Sequence, residues 1–129
     1  AGNFAVIECN CSHIEIIKPA GHNCFIVATN SFVSQKMAEY NNHAIDNWHS
    51  DERYSVAYNV LKENRNHFSV GLARDILSGK HGFMCQYKRN KGADTVWSVI
   101  YDIKNKKIFR AEGNPSRKKF VEDTRMKFI

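Results

Sequence analysis

The sequence predicts an α+β fold with a largely antiparallel sheet and two central helices. Three observations lead there. Short runs rich in β-branched and aromatic residues stand towards both ends of the chain, two helix-period patterns occupy its middle, and turn residues separate neighbouring runs closely enough for hairpins. With 129 residues the chain is long enough for one domain and one real core, so residues 1–129 are expected to form a single domain.

The elements follow in order. Residues 4–9 and 14–18 are two strand-like runs, and Asn10-Cys11-Ser12-His13 between them supplies turn chemistry, which predicts a hairpin. Pro19 and Gly21 punctuate the chain before Cys24-Phe25-Ile26-Val27-Ala28, a short apolar run that ends at polar Thr29-Asn30-Ser31 and predicts a buried strand. An asparagine at the exit of a buried strand has two readings. It turns the chain, as Asn and Ser commonly do, or it presents a carboxamide to a site, where its oxygen accepts and its NH2 group donates.

Residues 33–49 scatter Met37, Tyr40, Ile45 and Trp48 among Asn and His, which predicts a long irregular connection with one helical turn. Loops of that length are uncommon unless functional, so this one is expected to cover a site. Ser50 then offers an N-cap, Asp51 and Glu52 place negative charge in the first turn, and Tyr54, Ala57, Tyr58 and Leu61 follow at helical spacing to about Asn64. A second helix starts near Ser69, with Leu72, Ala73, Ile76 and Leu77 as its apolar face and Gly79 as its C′ glycine. Residues 95–102 are the strongest strand by composition. Lys104-Asn105-Lys106 turns the chain, residues 107–112 return as a strand, and Gly113-Asn114-Pro115 stops it. The tail from Ser116 is basic, with Phe120, Val121 and Met126 as anchors. The expected order is β-β-β, loop, α-α, β-β.

Composition narrows the function classes. Hydrophobic content of 43% and charged content of 25% are ordinary for a globular domain. No apolar run reaches the ~20 residues that span a bilayer, and no signal peptide opens the chain, so no membrane partner is expected. Net charge is +6, with one tight basic run at Arg117-Lys118-Lys119 and no aromatic platform beside it. Such runs are usually solvated faces, and nucleic acid is not the expected partner. The four cysteines (Cys9, Cys11, Cys24 and Cys85) are expected to be reduced thiols in a cytoplasmic protein.

Local motifs carry little chemistry of their own. Cys9, Cys11, His13, His22 and Cys24 hold the right atoms for zinc, but their spacing departs from structural zinc sites, and no metal or cofactor is expected. None of the histidines forms a recognisable local pair with a cysteine nucleophile. Glycine-rich phosphate loops are absent, and Asp51-Glu52 and Glu122-Asp123 are adjacent pairs suited to helix ends and surfaces.

The order of four motifs says more. Ala28-Thr29-Asn30-Ser31-Phe32 is followed by Ser50-Asp51-Glu52-Arg53-Tyr54, then by residues 95–102, then by residues 108–115 ending Gly113-Asn114-Pro115. Together they resemble the C-terminal half of linear-amide C–N hydrolases: choloylglycine hydrolases, penicillin V acylases and acyl-CoA:6-aminopenicillanic acid acyltransferase-like proteins. The likeness is nearest to the last branch, peptidase C45, and runs from about Gly2 to Phe128. It implies an N-terminal nucleophile (Ntn) hydrolase fold, a four-layer αββα sandwich, and a mature N-terminal cysteine whose own α-amine acts as base. An α-amine with a pKa near 8 suits that task.

This chain begins with Ala1, and none of its cysteines stands in the family's nucleophile context. It is therefore expected to be the C-terminal part of such an enzyme, inactive alone, with the missing N-terminal segment as a partner, a small N-acyl amide as substrate and a homo-oligomer as its assembly. The resemblance carries over two catalytic residues. Asn30 matches an asparagine that binds substrate and helps form the oxyanion site, and Arg53 matches an arginine that supports the nucleophile's charge. Without the resemblance, Arg53 is a surface arginine in a first helical turn, where the dipole slightly disfavours it. Two rivals stand beside this reading: a non-catalytic binding module using the basic C-terminal face, and a small zinc-binding protein.

Overall fold

The first two strands form because a four-residue turn is closed by its own asparagine. In the computed structural model, which describes residues 3–21, 24–42, 44 and 48–125, Asn10 Oδ1 accepts from the N–H groups of Ser12 and His13, both at 2.8 Å. Strands β1 (Val6–Cys9) and β2 (Ile14–Ile17) pair antiparallel on either side, with Cys9 opposite Ile14 and Glu8 opposite Glu15. The expected hairpin is present. Its faces are unusual: Ile7, Cys9, Ile14 and Ile16 are exposed, whereas Glu8 is buried.

The chain divides into two compact units, residues 1–66 and 67–129. The hairpin lies in the first, together with helix α1 (Ser50–Glu63). The third expected strand is a correction. Phe25 and Val27 are buried as that reading required, but residues 24–29 pair with no strand among the described residues. A ladder needs a neighbouring edge. Here helix α1 provides cover instead, with Tyr58 edge-on to Phe25 at a ring separation of 5.5 Å. The long connection holds one 3₁₀ turn at Ala38–Tyr40.

Helix α1 starts one residue earlier in register than expected. His49 occupies the cap position, and Ser50 is the first helical residue and fully buried. Tyr54, Ala57, Tyr58 and Leu61 are half-buried and Val60 is buried, so the apolar stripe does face inward.

The second unit is built on helix α2 (Val70–Leu77) and three strands, β3 (Trp97–Asp102), β4 (Lys107–Glu112) and β5 (Val121–Glu122), in the order β3-β4-β5, all antiparallel. Ser69 caps α2, its hydroxyl accepting from Leu72 N–H at 3.0 Å. Gly79 takes φ +76° just past the helix end, as a C′ glycine should. Helix α2 packs on β3, and Ile76, Cys85, Ile108 and Ala111 form the buried core. Strand β5 was not expected in the basic tail. It is two residues long and is held by neighbours, Lys107 Nζ reaching Glu122 at 3.0 Å and Asp123 N–H donating to Ile108 O at 2.8 Å. Of the three expected anchors, Phe120 is half-buried, Val121 is exposed and Met126 lies outside the described residues.

The architecture is α+β, with two α-helices and two antiparallel sheets among the described residues.

Candidate functional site

The first two motifs of the sequence meet in the first unit. Ser50 Oγ donates to Thr29 Oγ1 at 2.7 Å, which ties the residue before Asn30 to the first residue of α1. Three residues on, Arg53 Nη2 donates to Asn30 Oδ1 at 2.5 Å. Arg53 Nε donates to Trp48 O at 2.8 Å, and its backbone N–H donates to His49 O at 2.9 Å. A cation in the first turn of a helix is mildly disfavoured by the dipole. These acceptors offset that misfit.

The backbone that supplies them is strained. Trp48 and His49 both lie in the left-handed region, at φ 60° and 56°. Non-glycine residues there cost about 1–2 kcal/mol each. Two in succession, beside the anchored arginine, place the strain where the guanidinium is aimed.

Guanidinium is donor-only, so it fixes which end of the Asn30 carboxamide faces it. The oxygen faces Arg53. The NH2 group is therefore presented on the other side, and no described residue accepts from it. The charge on Arg53 also polarises the amide and strengthens that donor.

Asn30 lines a cavity of about 470 Å³, walled by Ile7, Cys9, Ala28, Phe32 and Tyr40 and by the polar Asn41 and Glu8. Asn41 clamps Phe32 through both backbone groups, Phe32 N–H donating to Oδ1 and Asn41 Nδ2 donating to Phe32 O, each at 2.8 Å. Glu8 accepts from the N–H groups of Val33 and Ser34 at 2.7 and 3.0 Å. Burial alone would raise the Glu8 pKa, but the Ser34 hydroxyl and the two N–H groups outweigh it and hold the carboxyl below its ordinary range. The sequence reading missed Glu8 and Asn41. A single carboxylate inside the apolar run Val6-Ile7-Glu8-Cys9 was the available signal; Asn41 had none among its Asn-rich neighbours.

A family model described as acyl-coenzyme A:6-aminopenicillanic acid acyl-transferase matches residues 1–117. The chain belongs to this family. The acyl-transferase family is Ntn hydrolase-like, and the α+β architecture of this member is consistent with it. No curated protein and no solved structure matches the chain.

Elsewhere in this acyl-transferase family member, Asn114 anchors a second polar cluster, in the second unit. It is 2% exposed, and its Nδ2 donates to Cys85 O at 2.5 Å and to Asp94 Oδ1 at 2.7 Å, while its oxygen accepts from Ser116 N–H and Oγ. Its capacity is filled from within, as in a structural joint. Asp94 also holds Arg117 at 2.5 Å. Arg117 belongs to the basic run considered for anionic partners, and Asp94 competes with any such ligand for it. No helix among the described residues is long and apolar enough to cross a membrane.

Proposed function

We propose that this chain is the substrate-side part of a cysteine Ntn enzyme that cleaves linear amide C–N bonds or transfers the acyl group, with Asn30 and Arg53 as its contribution to the active site. The observation that carries the reading is the Arg53–Asn30 hydrogen bond, because it turns the carboxamide so that an N–H donor is available. In acyl transfer a thiolate adds to the amide carbonyl, and the carbonyl oxygen becomes an oxyanion. An aimed N–H donor stabilises that charge more than the ground-state carbonyl. Arg53 backs the donor and adds positive charge.

The nucleophile in this reading comes from a segment outside this sequence. An Ntn cysteine uses its own free α-amine as base, taking the thiol proton and passing it to the leaving amine. In Cys9, Cys11, Cys24 and Cys85 that nitrogen is a peptide N–H, which is not basic. On the hairpin, Ile7, Ile14 and Ile16 are 65%, 70% and 59% exposed on one face. Apolar surface of that kind supports association, and the proposal retains a homo-oligomer. The four cysteines are free thiols, which supports a cytoplasmic setting.

The test is turnover of an N-acyl amide by the chain alone and together with the segment encoded upstream. Activity is expected only in the second case. Asn30→Ala should then lower kcat by about 100–1,000-fold, the usual loss for one oxyanion donor, and Arg53→Ala should lower it as well. Cys11→Ser, at the exposed hairpin turn outside the cavity wall, should leave kcat unchanged. Turnover by the chain alone that survives Asn30→Ala would overturn the proposal.

A further inference from the structure

The β1–β2 register sets two carboxylates opposite each other, Glu8 against Glu15. Like charges directly across a ladder are destabilising unless each finds a partner. Glu15 has Lys36 at 2.7 Å. Glu8 is only 7% exposed, and no described cation pairs with it. It is matched instead by backbone donors 25 and 26 residues further along the chain, Val33 and Ser34. A carboxylate buried for the hairpin alone would be a poor choice. An apolar residue at that place would remove the repulsion and the desolvation together.

What Glu8 does secure is a loop. Its two oxygens take the N–H groups of Val33 and Ser34, and Asn41 takes both polar groups of Phe32. Three consecutive residues are thus held by two side chains. On the other side of Asn30, Thr29 is tied to Ser50. Only Asn30 and Ser31 lie between the two anchors, and Glu8, Asn30, Phe32 and Asn41 line one cavity.

We propose that Glu8 is a positioning residue for Asn30, acting with Asn41 through the backbone of residues 32–34. This rests on the role given to Asn30 above. Among the described residues the charged and titratable groups facing Glu8 are Glu15 on β2 with its partner Lys36, and Tyr54 from α1, whose own pKa is raised by burial, by Tyr58 and by the Glu8 charge. The Glu8 carboxyl lies below its ordinary value, so the clamp is intact above that value and is lost as pH falls through the depressed one.

The experiment uses the 15N-labelled chain and follows the Asn30 NH2 pair and the Arg53 Nε–H by NMR. In a titration from about pH 7 to about pH 2, the Asn30 pair should move with the same midpoint as the Val33 and Ser34 amides, below the ordinary glutamate range. Glu8→Gln keeps the side-chain shape but sets an NH2 group against a backbone N–H. It should shift the Asn30 and Arg53 signals at neutral pH and abolish that titration, with the helical circular dichroism unchanged. Asn41→Ala should shift the Asn30 pair and keep the titration. A folded Glu8→Gln variant with unmoved Asn30 signals would overturn the proposal. So would a wild-type titration in which Val33 and Ser34 respond and Asn30 does not, and this arm decides the matter if the variant fails to fold. Turnover is not the readout. If coupling is seen but Asn30→Ala spares turnover in the completed enzyme, the functional reading fails and the positioning stands.

Discussion

Asn30 and Asn114 are the same side chain put to two uses. Asn114 spends its donors on Cys85 O and Asp94 and its oxygen on Ser116, all inside the second unit. Asn30 spends its oxygen on Arg53 and presents its NH2 group. The difference makes a prediction at this scale. Asn114→Ala should cost about 1–3 kcal/mol of stability, because it strands the buried Cys85 carbonyl, whereas Asp94 keeps the Thr95 N–H and Arg117. Urea unfolding of the second unit's signals would measure it, and a loss near zero would show that water replaces the carboxamide freely. The sequence marked Asn30 by its place at the end of an apolar run, and gave it and Arg53 catalytic roles only through resemblance. The carboxamide's orientation was not legible, because it is set by a guanidinium 23 residues away.

Elements made by local chemistry were the legible ones. Helix α2 carries its Ser69 cap, its apolar face and its C′ glycine within a dozen residues, and β4 lies where its alternation put it. The 24–28 run failed as a strand for the opposite reason. Its burial is real, but a strand exists only with a partner edge, and a run of apolar residues does not say whether a strand or a helix will cover it. Strand β5 is too short to show a period at all. Gly79 provides the prediction for this scale. A Cβ there would strain a backbone at φ +76° and would strike Gln86, whose side chain bonds Met84 N–H, Cys85 N–H and Gly79 O. Gly79→Ala should therefore destabilise by at least about 1–2 kcal/mol. Thermal melting would check it, and an unchanged midpoint would mean that neither the φ nor the Gln86 contacts matter.

At the scale of the whole molecule, acid is the sensitive condition. Among the described residues four carboxyls are held below their ordinary values: Glu8 by the Ser34 hydroxyl and two backbone N–H groups against its burial, Asp94 first by the Asn114 side chain, Asp102 first by the Asn105 side chain, and Asp123 first by Arg125. Asp123 is the largest case, lowered from 3.8 to about 2. A carboxyl depressed on folding contributes stability that is present above its unfolded value and lost as pH falls through the folded one. The melting temperature should thus be level from about pH 7 to about pH 5 and fall between about pH 4 and about pH 2. The net charge of +6 grows as carboxylates protonate and adds repulsion in the same direction. Asp123→Asn should flatten the lowest part of that fall. An unaltered slope in the variant would show that the Arg125–Asp123 pair does not differ between folded and unfolded chains.

By itself the sequence determined the α+β class, the hairpin, both helices, the β3–β4 pair and, through the order of its motifs, the family. All of these rest on contacts between residues close in the chain, or on patterns that repeat along it. Only the tertiary structure decided that Thr29 meets Ser50, that Asn30 meets Arg53, that Glu8 faces inward to hold residues 33 and 34, and that helix α1 rather than a neighbouring strand covers Phe25. Each of these joins groups from roughly 20 to 35 residues apart. At that separation partners are selected by shape and by the need to satisfy buried polar groups, and neither is written in the local pattern.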